Sequence, residues 1–179
     1  SDHAQVPEKI DSMPEVFRWP LHSLVSKIKE WRDMGISTFA LFPQINNNKK
    51  SPEGSEFLKA DSLTYRAALE IKASVDRVAL VGDLALDPYT SHGHDGVLDY
   101  NGVVDNDATV QILAEGAVLA AKSGYDLVAP SDMMDGRVKA IRDELDRHNQ
   151  QNTGILSYSA KFSSAYYGPF RDAIGSDQK

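Results

Sequence analysis

Cysteine is absent from this chain of 179 residues, which excludes disulfide bonds, thiolate zinc sites, iron–sulfur ligation and a cysteine nucleophile. Positive charge is in the minority: Lys and Arg total 19 against 26 Asp and Glu, a net charge of −7. With no basic stretch, that balance argues against a nucleic-acid partner and against an anionic membrane surface. No apolar run approaches the roughly 18–20 residues of a membrane span. The opening segment SDHAQVPEKID is too polar for a secretory signal. G-x-G-x-x-G, the phosphate-binding G-x-x-x-x-G-K-[ST], G-x-S-x-G and H-E-x-x-H are all missing, so nucleotide binding, elbow-serine hydrolysis and zincin chemistry have no motif behind them. The aspartates do not follow the EF-hand spacing either.

What is present is a core-forming composition, 41% hydrophobic and 25% charged, on a length that suits one domain over residues 1–179. Four units repeat one local order of helix, glycine or polar turn, and short apolar run. Leu21 to Met34 reads as a helix with Leu21, Leu24, Val25, Ile28 and Trp31 on one stripe; Gly35 stops it, and Ile36 to Phe42 reads as a buried strand. A second helix is expected over Asp61 to Ser74, with Asp61 as cap, followed by the strand Val78 to Leu86. The third starts near Asn106 or Asp107, either of which can cap it, and closes at Gly124 before the strand Asp126 to Pro130. The fourth covers Gly136 to His148, with Val138, Ile141 and Leu145 inward, and leads to the strand Ile155 to Ser159. Helices alternating with continuously apolar strands mean an α/β fold with a parallel sheet. An open doubly wound sheet and a (β/α) barrel both fit, and in both the chemistry sits past the C-terminal ends of the strands.

The segments past those ends are polar. The one after the second strand, DLALDPYTSHGHDGVLDYNGVVDND, carries Asp83, Asp87 and Asp95 with His92 and His94. Asp83 and Asp87 share a parity in extended chain, and Asp95 returns across a turn with Gly93 and Gly96. Three carboxylates there suit an oxygen-ligated ion such as Mg²⁺; equally, Asp and Gly fill loops because they make turns. The two histidines of HGH seldom face one zinc ion. Lys161 follows the last apolar strand. Desolvation would lower its pKa and free a neutral amine to attack a carbonyl; the plain alternative is a solvated lysine at the start of a loop. Arg171 offers a planar fork to a carboxylate, or a surface ion pair with Asp172. Tyr166, Tyr167 and Phe170 would line a pocket or sit in the core.

GDLALDPYTSHGHDG, VDNDAT, APSDMMDGR and SYSAKFSSAYYGPFRDA, with SMPEVFRW and FALFP before them, closely resemble the porphobilinogen synthase (δ-aminolevulinic acid dehydratase) family. The match runs in order from about Ser12 to Gly175. The resemblance implies a (β/α)₈ barrel, a homo-oligomer, typically an octamer, and condensation of two 5-aminolevulinate molecules to porphobilinogen on the route to haem and other tetrapyrroles. It assigns Lys161 to the Schiff base with the first-bound substrate and Arg171 to the carboxylate of the other. Ser131, Asp132, Tyr158 and Phe42 are expected beside the substrate. In the family's zinc-dependent branch three cysteines occupy the positions of Ala85, Asp87 and Asp95. The chain therefore resembles the aspartate-type branch, with Mg²⁺ rather than catalytic zinc, and Asp83, Asp87 and Asp95 as the metal candidates. A cytoplasmic location is expected, with a plastid as the other compartment. Since a full barrel needs about 250 residues, the expectation is a partial TIM (β/α)₈ barrel of about four βα units, without the family's N-terminal arm, second Schiff-base lysine and lid. Two other readings stand beside it: an inactive truncated module with a weak Mg²⁺ loop, and another Schiff-base lyase of the aldolase type.

Overall fold

The computed structural model describes residues 1, 4–162, 164–165 and 167–175; Tyr166 lies outside them. The chain opens with a short antiparallel pair, β1 (Glu8–Lys9) and β2 (Phe17–Arg18). Four helix–strand units follow: α1 (Leu21–Asp33) and β3 (Thr38–Leu41), α2 (Leu63–Ser74) and β4 (Ala79–Leu84), α3 (Asn106–Lys122) and β5 (Leu127–Pro130), α4 (Arg137–Arg147) and β6 (Gly154–Ile155). A fifth helix, α5 (Tyr167–Ile174), ends the described chain.

The larger sheet is four-stranded and parallel, in the order β3-β4-β5-β6. Because each strand lies beside the previous one and parallel crossovers are right-handed, every connecting helix falls on the same face. This is the arrangement of consecutive units of a (β/α) barrel, and the chain forms a part of one. Residue parity then divides the strands. Phe39, Leu80, Leu84 and Val128 pack outward into the core with Ile28 of α1 and Leu113 of α3. Residues of the opposite parity, among them Ala40, Phe42, Asp83 and Ser131, face the inside of the curved sheet.

Boundaries depart from the periodic reading in ways that have physical causes. The strands are shorter than their apolar runs: hydrogen-bonded pairing holds only where a neighbour runs alongside. The last strand is Gly154–Ile155 rather than 155–159, although Leu156 N–H and Tyr158 N–H still reach Val128 and Pro130 carbonyls at 2.9 and 3.4 Å. Helix α3 is capped by Asp105, which accepts from Ala108 N–H at 3.0 Å, not by Asn106 or Asp107. Ser62, not Asp61, occupies the N-cap of α2, without a side-chain bond. Val138 is exposed, while Ile141 and Leu145 are buried as the stripe requires. Helix α5 replaces an expected loop: Pro169 sits in its first turn, where a missing N–H costs nothing.

Candidate active site

Each site residue is positioned by the end of a strand. Asp83 belongs to β4, Ser131 directly follows β5, and Tyr158 and Lys161 follow β6. Their inward parity and the staggered ends of neighbouring strands bring them together. Phe42, Asp83, Ser131, Tyr158 and Lys161 line a cavity of about 340 Å³, with Asp87, Ser164, Tyr167 and Phe170 completing the wall. Phe42 meets Phe170 of α5 edge-on at 5.1 Å between centroids, so the unforeseen helix supplies one side of the pocket.

The long segment after β4 returns on itself: Leu86 N–H donates to the Asp95 carbonyl at 3.1 Å. That contact sets Asp95 beside Asp87. The turn tolerates no larger residue at Gly96, where a Cβ would lie 2.7 Å from Thr109 Oγ1. His92 is consumed locally. Its Nδ1 accepts from His94 N–H at 3.2 Å, which leaves Nε2 to donate to the Pro52 carbonyl at 3.0 Å. Both ring nitrogens therefore serve the backbone rather than a metal.

The polar groups form one connected arrangement. Lys161 Nζ donates to the Ser131 carbonyl at 2.6 Å and lies 3.6 Å from Asp95 Oδ2. Ser131 Oγ donates to Asp83 Oδ1 at 2.5 Å. Burial pushes the Asp83 carboxyl up to about 7, against the lowering effect of the Ser131 bond. Burial and the neighbouring Asp95 charge bring Asp87 to about 6. For Lys161, burial lowers the pKa, but the charges of Asp95 and Asp87 and the bond to Tyr167 outweigh it, so the amine is held above its ordinary value. The depressed amine expected from desolvation alone is thereby corrected: counter-charges a few ångströms away win over partial burial.

The three candidate metal aspartates stand in different settings in this arrangement. Asp83 is engaged with Ser131, Asp95 faces an ammonium, and Ala85 between them is buried and apolar. Among the described residues no three His, Asp or Glu side chains gather around a metal position.

Two expected substrate contacts stand apart from the cavity wall. Asp132 is fully buried; it accepts from Met134 N–H at 2.7 Å and faces Arg137 Nε at 3.2 Å. Arg171 is exposed on α5, its guanidinium 4.9 Å from the Tyr167 ring. Sequence reasoning passed over Ser164 and Arg137. The arginine after the glycine in MMDGR was legible as a charge opposite Asp132, but only the fold shows where it reaches.

Comparison with known proteins agrees with this geometry. The family model for delta-aminolevulinic acid dehydratase matches residues 1–179. The chain is 44% identical over 171 residues to the delta-aminolevulinic acid dehydratase of Chlamydia pneumoniae, covering 96% of this chain and 51% of that protein. Against the chloroplastic enzyme of Glycine max it is 43% identical over 172 residues, covering 95% and 42%. The chain thus spans about half the length of the curated relatives it matches. The crystal structure of delta-aminolevulinic acid dehydratase (porphobilinogen synthase) from Toxoplasma gondii, in complex with the reaction product porphobilinogen, superposes with a TM-score of 0.95 at 44% identity, over 98% of this chain and 50% of that one. With its strand-end lysine, its aspartate-rich loop and its parallel half-sheet matched over essentially the whole length, the chain belongs to the delta-aminolevulinic acid dehydratase family.

Proposed function

We propose that the intact protein carrying this chain is a porphobilinogen synthase that condenses two molecules of 5-aminolevulinate, and that this chain supplies the lysine of one covalent capture step. The observation that carries the reading is the Lys161 amine at the strand ends of a cavity, next to two carboxyls whose pKa values burial has brought to about 7 and about 6. An ammonium is not a nucleophile, so the proton on Lys161 must leave before attack. Asp87 lies within its electrostatic reach and Asp83 stands behind Ser131. Carboxyls poised in this range accept a proton and return it near neutral pH. The free amine adds to the substrate ketone, the carbinolamine loses water with a returned proton, and a protonated imine remains. That iminium withdraws electrons from the adjacent carbon and prepares it for bond formation. Phe42, Tyr158 and Phe170 would exclude water around it, and Arg171 would hold a substrate carboxylate from the rim.

We also propose that the intact enzyme does not depend on zinc. The positions Ala85, Asp87 and Asp95 offer no thiolate, and oxygen donors suit Mg²⁺ better. No step above passes through a metal. Porphobilinogen formation from 5-aminolevulinate by the intact protein tests the reading. Turnover is expected to survive a zinc-selective chelator; loss of activity restored only by zinc would overturn the metal part, and no porphobilinogen at all would overturn the whole. Assembly as a homo-octamer belongs to the same proposal and is read by light scattering. Among the described residues no helix is long and apolar enough to cross a membrane.

A further inference from the structure

Arg137 occupies an unfavourable place. It is the first residue of α4, where the helix dipole disfavours a cation, and its side chain is only 13% exposed. The carboxylate it meets, Asp132, is completely buried. A buried charge pair adds little net stability by itself, because both groups must be desolvated. The contacts of the guanidinium suggest another use. Nη1 donates to the Met134 carbonyl at 2.9 Å, within the turn after β5, and Nη2 donates to the Tyr158 carbonyl at 3.2 Å, in the segment after β6. Asp132 closes the same turn by accepting from Met134 N–H. Nε faces Asp132 Oδ2 without hydrogen-bond alignment, so the carboxylate balances the charge while the fork of Nη atoms does the bridging.

The bridge falls where the sheet stops holding these two segments together. Pairing between β5 and β6 loosens toward its end, with Tyr158 N–H 3.4 Å from the Pro130 carbonyl. Beyond that point the Arg137 bond to Tyr158 and the Lys161 bond to Ser131 join the two segments. Ser131 immediately precedes Asp132, and Lys161 is three residues past Tyr158.

We propose that Arg137, charge-balanced by Asp132, is a positioning residue that fixes the Tyr158–Lys161 segment against the β5 turn and so sets the Lys161 amine at its working distance from Ser131 and Asp83. It touches no substrate and acts through Lys161. The proposal rests on the Schiff-base reading of Lys161. A planar fork is required, since a lysine ammonium cannot span both carbonyls in the same geometry.

The test is the rate at which borohydride traps 5-aminolevulinate on Lys161 in the intact protein, measured for the wild type, R137A and R137K across pH. An error of about 1 Å in a reacting group costs up to a hundredfold, so trapping by folded R137A and R137K is expected to slow by roughly ten- to a hundredfold, with a displaced pH profile. R137K keeps a cation opposite Asp132, so it reports on positioning even where R137A folds poorly. Trapping at the wild-type rate and with the wild-type pH profile per folded molecule, in either variant, would overturn the proposal and leave Arg137 a stability element. Absence of any adduct on Lys161 in the wild type would instead overturn the Schiff-base reading beneath it.

Discussion

At the scale of single residues, the chemistry rests on charges that the fold has moved away from their solution behaviour. Asp83 has its carboxyl raised from 3.8 to about 7 by burial, and burial also lifts Asp132 to about 6. A carboxyl that holds its proton more tightly when folded makes the folded state bind more protons than the unfolded chain between those values. Stability therefore falls as pH rises from about 4 to about 7. Asp83→Asn removes the charge while its Oδ1 still accepts from Ser131 Oγ, so the variant should lose part of this slope and gain about 2–4 kcal/mol relative to wild type at pH 8 compared with pH 4. Thermal melts across that range check it; parallel stability curves would contradict the burial argument. The same substitution should depress turnover, because an amide cannot take the proton that leaves Lys161. Lys161 was legible in the sequence from its place just past an apolar run and Asp83 as a carboxylate within the run Val78 to Leu86, whereas Ser131 came only from the family resemblance. The direction of the Lys161 pKa was not, because it depends on Asp95 returning through space from a turn twelve residues after Asp83.

At the scale of elements, four helices and four strands could be read from period and turn residues because each alternates a stripe or run with a glycine or polar stop. The lengths could not, since pairing partners end the strands. Helix α5 hid behind Gly168 and Pro169, although Tyr167, Phe170 and Ile174 recur at helical spacing. Gly116 shows a limit of another kind. It sits inside α3, where alanine would normally be preferred by about 1 kcal/mol, yet a Cβ there would lie 2.1 Å from the Phe57 ring. Overpacking of this kind costs about 1–3 kcal/mol, so Gly116→Ala should lower stability despite its better propensity. Denaturant melts read the sign, and a stabilised variant would contradict the packing. Asp105→Ala removes the α3 cap and should cost about 1 kcal/mol, visible in the same measurement.

At the scale of the whole molecule, the sheet has two edges among the described residues, β3 and β6. Its inner parity is uncovered in places: Ile36, Phe42, Leu156 and Tyr158 are each at least 36% exposed. A second cavity of about 410 Å³ runs beside β3 between the β1–β2 pair, α1 and α5, and its walls are mostly apolar. Open edges and bare apolar surface are templates for association. Residues 1–179 expressed alone should therefore associate or melt without cooperativity, as size exclusion and near-UV circular dichroism would show. A compact monomer with a sharp melt would mean that the sheet is adequately covered as it stands. The central claim, that a lysine at the strand ends captures a ketone, is tested most directly in the intact protein. It is incubated with 5-aminolevulinate, reduced with borohydride, digested and mapped by mass spectrometry. The account predicts a substrate adduct on Lys161 that Lys161→Met abolishes together with turnover; an active enzyme whose adducts lie only on other lysines, with Lys161 unmodified, would contradict it.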